Sequence, residues 1–288
     1  MRTPDERFAD LPGFSWAPRY LDWQGLRVHY LDAGAGRRTL VCLHGEPTWS
    51  YLYRKMIPPF VAAGYRVIAP DFVGFGRSDK PEDEGFYTFE MHRDFLLWLL
   101  ETLDVKNVAL AVQDWGGLLG LTLPMEMPER FERLLVMNTA LGTGDVPLSE
   151  GFVAWRAYVA KTPDMDCGKL LARACPHLSA AEAAAYEAPY PDAASKAGVR
   201  RFPALVPDRP DAPGAAISRR ARDWLSKSWK GDTFMAVGAK DPVLGPPVMS
   251  ALRKVIRGCP EPWIHAEGGH FLQEWGDEVA HEAIQRWR

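Results

Sequence analysis

Among the residues of this 288-residue chain, Asp114 is the one best placed to do chemistry, within the run Asn107 to Gly120 that reads N-V-A-L-A-V-Q-D-W-G-G-L-L-G. Val108 to Val112 is a continuous apolar stretch rich in β-formers, which suits a strand buried on both faces. Gln113, Asp114 and Trp115 follow, and Gly116, Gly117 and Gly120 then open a segment with helix-like apolar spacing. A strand, a polar residue and small residues at a helix start form the layout of a nucleophile elbow, the sharp turn that lifts one side chain above a parallel sheet. The chain departs from G-x-S-x-G at two places, with Val at 112 and Asp at 114. A serine at such a turn needs a neighbouring base before it attacks, whereas a carboxylate is ionised at neutral pH and can open with a direct displacement at carbon. The plainer reading, an Asp that caps the helix after a strand, is common in α/β proteins.

Two further residues could complete that chemistry. Asp241 follows the strand-like T-F-M-A-V-G in Gly238-Ala-Lys-Asp241, and His270 follows the last apolar stretch in Glu267-Gly-Gly-His270-Phe271. Taken singly, an Asp before Pro242 is an ordinary turn former and a Gly-Gly-His an ordinary loop. Taken with Asp114, they give the order nucleophile, acid, histidine, which is that of α/β-hydrolases, and all three are expected at the carboxyl edge of one sheet. Such a set can form a covalent ester on Asp114 and then hydrolyse it with water activated by His270 and oriented through Asp241.

The elements that must position these residues alternate along the chain. Leu26 to Leu31 alternates as an early strand at a sheet edge, and Arg37 to Leu43 gives a more apolar strand ending in the loop His44-Gly45-Glu46-Pro47. Tyr65 to Pro70 is another buried strand, followed by the Gly-rich loop Asp71 to Lys80, whose G-F-G-R-S-D lacks the third glycine of a dinucleotide fingerprint. Thr88 to Leu103 reads as an amphipathic helix with His92-Arg93-Asp94 on its solvated face, and Arg133 to Asn138 as the next strand. From about Gly142 to Lys230 buried strands cease and the chain becomes Ala-, Pro- and Asp-rich with helical segments, including a capping box at Ser179 and Glu182. Strands resume with Thr233 to Gly238, then a helix with Pro246 and Pro247 at its start and Gly258 past its end, a strand from Pro262 to Ala266 and a helix from Phe271 to Arg288. The expected class is α/β: an α/β-hydrolase fold with a mostly parallel sheet flanked by helices, its core formed by residues 1–141 and 231–288 and a helical cap by residues 142–230.

Composition narrows the partners. The chain is 47% hydrophobic and 25% charged with a net charge of -3, so it has the makings of a substantial core and no basic excess for nucleic acid or an anionic membrane. Cys42, Cys167, Cys175 and Cys259 make no C-x-x-C or zinc spacing, and the seven His form no H-E-x-x-H, so neither a metal nor a cofactor is expected. The amino terminus lacks the apolar centre of a signal peptide and the longest apolar run, Phe95 to Leu100, is too short to span a bilayer. The expectation is a cytoplasmic monomer acting on a small neutral molecule.

Leu43 to Arg54 (L-H-G-E-P-T-W-S-Y-L-Y-R), Val112 to Gly117 (V-Q-D-W-G-G), Gly151 to Trp155 (G-F-V-A-W), Gly238 to Asp241 (G-A-K-D) and Gly268 to Glu274 (G-G-H-F-L-Q-E) resemble the haloalkane dehalogenases over nearly the whole chain. They are most similar to the subgroup that includes the enzyme acting on 1,2-dichloroethane, with a shorter stretch between Leu141 and Gly151. The resemblance implies Asp114 as nucleophile, His270 as base and Asp241 as its acid. It implies Trp115 and Trp155 as halide-binding indoles, Glu46 and Trp115 as backbone donors of the oxyanion hole, Phe152 beside the substrate, a haloalkane as substrate and a halide ion as product. Glu46 stands where another subgroup has a halide-binding Asn, and Asn138 leaves no acid after its strand, so the acid would be Asp241. Two neutral indole donors in a dry pocket suit a departing halide. The rival enzyme reading is an epoxide hydrolase, whose cap tyrosines could come from Tyr158, Tyr186 and Tyr190; the rival of a different class is a non-catalytic binding protein on the same fold.

Overall fold

A computed structural model describes residues 1–287. Eight strands form one sheet: β1 (Arg19–Trp23), β2 (Leu26–Ala33), β3 (Arg38–Leu43), β4 (Tyr65–Pro70), β5 (Val108–Val112), β6 (Phe131–Met137), β7 (Asp232–Gly238) and β8 (Trp263–His265). Their spatial order is β1-β2-β4-β3-β5-β6-β7-β8. β2 runs antiparallel to both β1 and β4, and every other pairing is parallel.

β5 is the central strand, buried at every position and paired on both sides, with Leu110 opposite Val41 and Leu134. Its pleat separates sizes as well as faces. Val108, Leu110 and Val112 join one apolar core, while Ala109 and Ala111 belong to the other, where the Tyr53 hydroxyl reaches the Ala111 carbonyl at 3.3 Å. A strand covered on both faces needs no polar alternation, which is why a continuous apolar run marked it in the sequence.

The helices are α1 (Ile57–Ala62), α2 (Phe89–Thr102), α3 (Trp115–Gly120), α4 (Glu150–Lys161), α5 (Cys167–Ala174), α6 (Ala180–Glu187), α7 (Ala197–Leu205), α8 (Ala215–Lys227), α9 (Pro246–Val255) and α10 (Gly276–Arg286). α4 to α8 all lie between β6 and β7, in the stretch where buried strands cease. The capping box forms as expected: the Ser179 hydroxyl accepts from the Glu182 N–H, and the Glu182 carboxylate accepts from the Ser179 N–H at 2.9 Å. α6 is tied to the core by Arg54, whose guanidinium donates to Glu182 at 2.8 Å and to both oxygens of Glu274 at 2.6 and 2.9 Å. Among the described residues no helix is long and apolar enough to cross a membrane.

Three expectations need correction. The strand expected at the sheet edge, β2, is paired on both sides, because Arg19–Trp23 forms an outer strand whose interrupted apolar pattern hides it in the sequence. His92 and Arg93 are buried, not solvated, since α2 is pressed between the sheet and its neighbouring segments. Arg93 is satisfied there by Thr122 at 2.9 Å and Glu126 at 2.6 Å, and His92 lies among the rings of Phe72, Tyr87 and Phe202. The last helical segment is broken into a 3-10 turn at Leu272–Trp275 and α10; Arg288, expected to end it, lies outside the described residues.

Candidate active site

The bend between β5 and α3 puts Asp114 in an unusual conformation, φ 50° and ψ −125°, which side chains other than glycine rarely adopt. Such a conformation costs of order 1–3 kcal/mol and persists only where its surroundings over-determine it. Here the Asp114 N–H donates to the Asn138 carbonyl at 3.0 Å, and the Asp114 carbonyl accepts from Gly117 N–H at 2.9 Å and from the Thr139 hydroxyl at 2.7 Å. Glycines make the bend possible by close approach. A Cβ on Gly116 would overlap the Leu43 carbonyl, one on Gly117 would overlap Thr139, and one on Gly45 would overlap the Asp114 carboxylate. Asp114 occupies the N-cap position of α3 but makes no side-chain cap bond, so its carboxylate is not employed as a helix cap. Its Oδ1 instead accepts from the Glu46 backbone N–H at 2.9 Å, from the loop after β3.

The other two expected groups converge on it. His270 places Nε2 3.5 Å from Asp114 Oδ2 and Nδ1 2.8 Å from Asp241 Oδ2. The histidine loop is laced to the end of β7 by a Lys240 N–H to Gly268 carbonyl bond of 2.8 Å, and Gly238 leaves no room for a Cβ against Gly268 and Gly269. Asp241 Oδ1 accepts from Val243 and Leu244 N–H at 2.8 and 3.0 Å, while Oδ2 takes the Asn138 amide at 3.1 Å as well as His270. Burial alone would raise the Asp241 carboxyl, but the facing imidazole and these N–H groups bring it down to about 2. For His270 burial acts downward and is outweighed by Asp241 and Asp114, which push it up to about 10. Glu46 goes the other way: burial and then the charge of Asp114 raise its carboxyl well above the usual range, toward its neutral form. The triad is not sealed, because Asp114 retains 16% and His270 22% of side-chain exposure.

Trp115 is buried against Phe202, with ring centroids 4.6 Å apart, and its indole N–H has no acceptor among the described residues. Its backbone N–H opens α3, where first-turn donors lack an intrahelical partner. Trp155, half-buried on α4, turns its indole toward the Glu46 carboxyl and stacks on Tyr158 at 5.8 Å. Phe152, one turn earlier, lies beneath the Arg156 guanidinium at 5.4 Å, and no hydrogen bond or ring contact among the described residues joins it to Asp114 or His270. The tyrosines weighed for epoxide chemistry do not pair over Asp114: Tyr186 donates to Glu274, Tyr190 to the Pro47 carbonyl at 3.3 Å, and Tyr158 is 43% exposed. Among the described residues no cluster of His, Cys, Asp or Glu is arranged to hold a metal ion.

Sequence reasoning missed three residues of this site. Gln113 was only a strand end, yet its amide reaches His270. Asn138 counted as a missing acid, yet its Oδ1 accepts from Gly238 N–H at 2.8 Å and its amide steadies Asp241. Phe202 carried no signal, lying in a helix far along the chain from the elbow it packs against. For the first two a signal existed, a buried polar residue at the carboxyl end of a strand, which must find a partner there.

The alpha/beta hydrolase fold family matches residues 38–277. A haloalkane dehalogenase of Psychrobacter cryohalolentis is 44% identical over 295 residues, covering 99% of this chain and 97% of that protein. One of Mycolicibacterium paratuberculosis is 40% identical over 296 residues, covering 100% and 98%. Among solved structures, the tetrameric haloalkane dehalogenase DpaA of Paraglaciecola agarilytica NO2 is similar with a TM-score of 0.97 and 48% identity, over 99% of this chain and 97% of that one. With the eight-stranded sheet and its elbow, these likenesses identify the chain as a member of the haloalkane dehalogenases, hydrolases that act on carbon–halide bonds.

Proposed function

We propose that Asp114 is the nucleophile of a two-step dehalogenation, His270 its base and Asp241 the acid that orients the base. The observation that carries the reading is the division of labour on one carboxylate: Oδ1 is held by Glu46 N–H, and Oδ2 stands 3.5 Å from His270 Nε2 in a side chain that is still 16% exposed. In the first step Oδ2 attacks the halogen-bearing carbon, an ester bond forms, and the carbon–halogen bond breaks with its electron pair leaving on the halide. In the second, Nε2 of His270 takes a proton from water while the water oxygen adds to the ester carbonyl; the oxyanion at Oδ1 meets Glu46 and Trp115 N–H, and its collapse breaks the ester C–O bond, the alkoxide leaving as alcohol with the proton from His270 and the regenerated Asp114 acid losing its own to solvent. Trp115 and Trp155 donate to the halide as it departs.

Charge timing supports this order. While Asp114 is anionic it helps to hold the proton on His270, and once alkylated it is neutral, so the histidine's proton affinity falls when a base is needed. In the resting enzyme the raised value of about 10 against an ordinary 6.5 means that this pairing stabilises the fold fully below the ordinary value and is lost as pH rises through the folded one. A His270→Gln variant is expected to release about one halide per active site and then stall as the alkyl ester, read by halide assay and by the mass of the labelled protein. Steady turnover at the native rate would remove His270 from the second step.

Residues 142–230, with α4 to α8, would act as the cap that excludes water over Asp114, and Phe152 would border the substrate from it. The substrate class is a small haloalkane. The monomeric state and cytoplasmic location are readings of the sequence alone. The tetramer of the Paraglaciecola relative makes an oligomer the alternative, which light scattering would decide.

A further inference from the structure

Gln113 is fully buried immediately before the nucleophile, and its amide nitrogen lies 3.0 Å from His270 Nε2 and 3.0 Å from the His270 carbonyl oxygen. The carbonyl can only accept, so the amide must present nitrogen rather than oxygen on that side. This orients the whole group, and it leaves the amide oxygen buried without a partner among the described residues. With one hydrogen on the carbonyl, the second points at Nε2. A donor there is satisfied by an imidazole whose Nε2 carries a lone pair and whose proton sits on Nδ1, against Asp241; an imidazolium would set donor against donor.

The other groups facing His270 pull the opposite way. Asp241 from the end of β7 and Asp114 from the elbow are the carboxylates that do so, Glu46 from the loop after β3 is shifted toward its neutral form, and Lys240 and Glu267 beside the histidine loop neutralise each other at the surface. Because one elbow carries both Gln113 and Asp114, the strained bend that presents the nucleophile also aims the amide. We propose that Gln113 is a positioning residue whose amide opposes these carboxyls and keeps the Nε2 lone pair of His270 available for water. The inference rests on His270 being the base of the second step.

The test uses Gln113→Met, close in volume but without a donor, and Gln113→Glu, which has the same shape but accepts from Nε2–H. The alkyl-enzyme is formed with a bromoalkane in a rapid-mixing experiment, and its hydrolysis is followed across pH. Both variants should keep a burst of about one bromide per site, and the acid limb of hydrolysis should move to higher pH by about one unit for Met and further for Glu, a roughly tenfold loss of rate below the limb. The 15N imidazole titration of His270 should shift in the same direction. Hydrolysis slowed equally at every pH, with the limb and the 15N midpoint unmoved, would overturn the proposal and leave Gln113 a packing residue. If Gln113→Met loses its burst, Gln113→Glu with the 15N titration decides. His270→Gln in parallel separates the two levels: if it turns over freely the reading of the base fails, and if it stalls while the Gln113 limb stays put only this inference fails.

Discussion

Asp114 and Glu274 are both carboxylates removed from bulk water in the same molecule, and they are furnished in opposite ways. Glu274 has no side-chain exposure; it accepts from Arg54 at 2.6 and 2.9 Å, from Lys55 at 2.9 Å and from the Tyr186 hydroxyl. Burial would raise that carboxyl, but Arg54 foremost holds it below its ordinary value. Asp114 has one backbone N–H at 2.9 Å, an imidazole at 3.5 Å and a remaining exposure of 16%. A saturated carboxylate has no lone pair to spend on a substrate and serves to bind α6 to the core. A carboxylate held by one oxygen would keep the other for the attack proposed for Asp114.

Substitutions can break or sharpen this contrast. The largest effect is expected from Asp114→Ala, which should abolish halide release, a loss of roughly 10⁴-fold or more in kcat, with the fold retained by circular dichroism. Residual release near the native rate would mean that another group attacks. Glu274→Gln should do the reverse. Breaking one partner of a buried pair costs about 3–5 kcal/mol, so urea or thermal unfolding should shift strongly while the halide burst per folded molecule stays whole. A reduced burst without lost stability would erase the distinction between the two sites. The smallest effect is expected from Trp155→Phe: a lost charge-assisted hydrogen bond weakens halide binding by roughly tenfold or more, seen as weaker halide quenching of tryptophan fluorescence. Unchanged quenching would leave Trp115 as the working indole.

Much of this arrangement was legible before any coordinates. β5 could be read residue for residue because a doubly covered strand is continuously apolar, and Asp114, Asp241 and His270 could be read because they sit in short loops right after such strands. What escaped depended on partners remote in sequence. Arg54 and Glu274 are 220 positions apart, and nothing local tells that pair from two surface charges. β1 escaped because R-Y-L-D-W is half exposed and takes its strand character from pairing with β2. His92 escaped because helical periodicity shows which residues share a face, not which faces tertiary packing will cover. Asn138 was seen as an absence, and only its contact with Asp241 gives it a purpose.

The crowding around the elbow has a consequence for how this chain can change. Gly45, Gly116 and Gly117 admit no larger residue without displacing the Asp114 carboxylate, the Leu43 backbone or the Thr139 side chain, whereas the side chain at 114 retains 16% of its exposure. Variation is therefore frozen in the mount and permitted in what it carries. The turn thus dictates where the side chain at 114 is displayed, whatever group it carries.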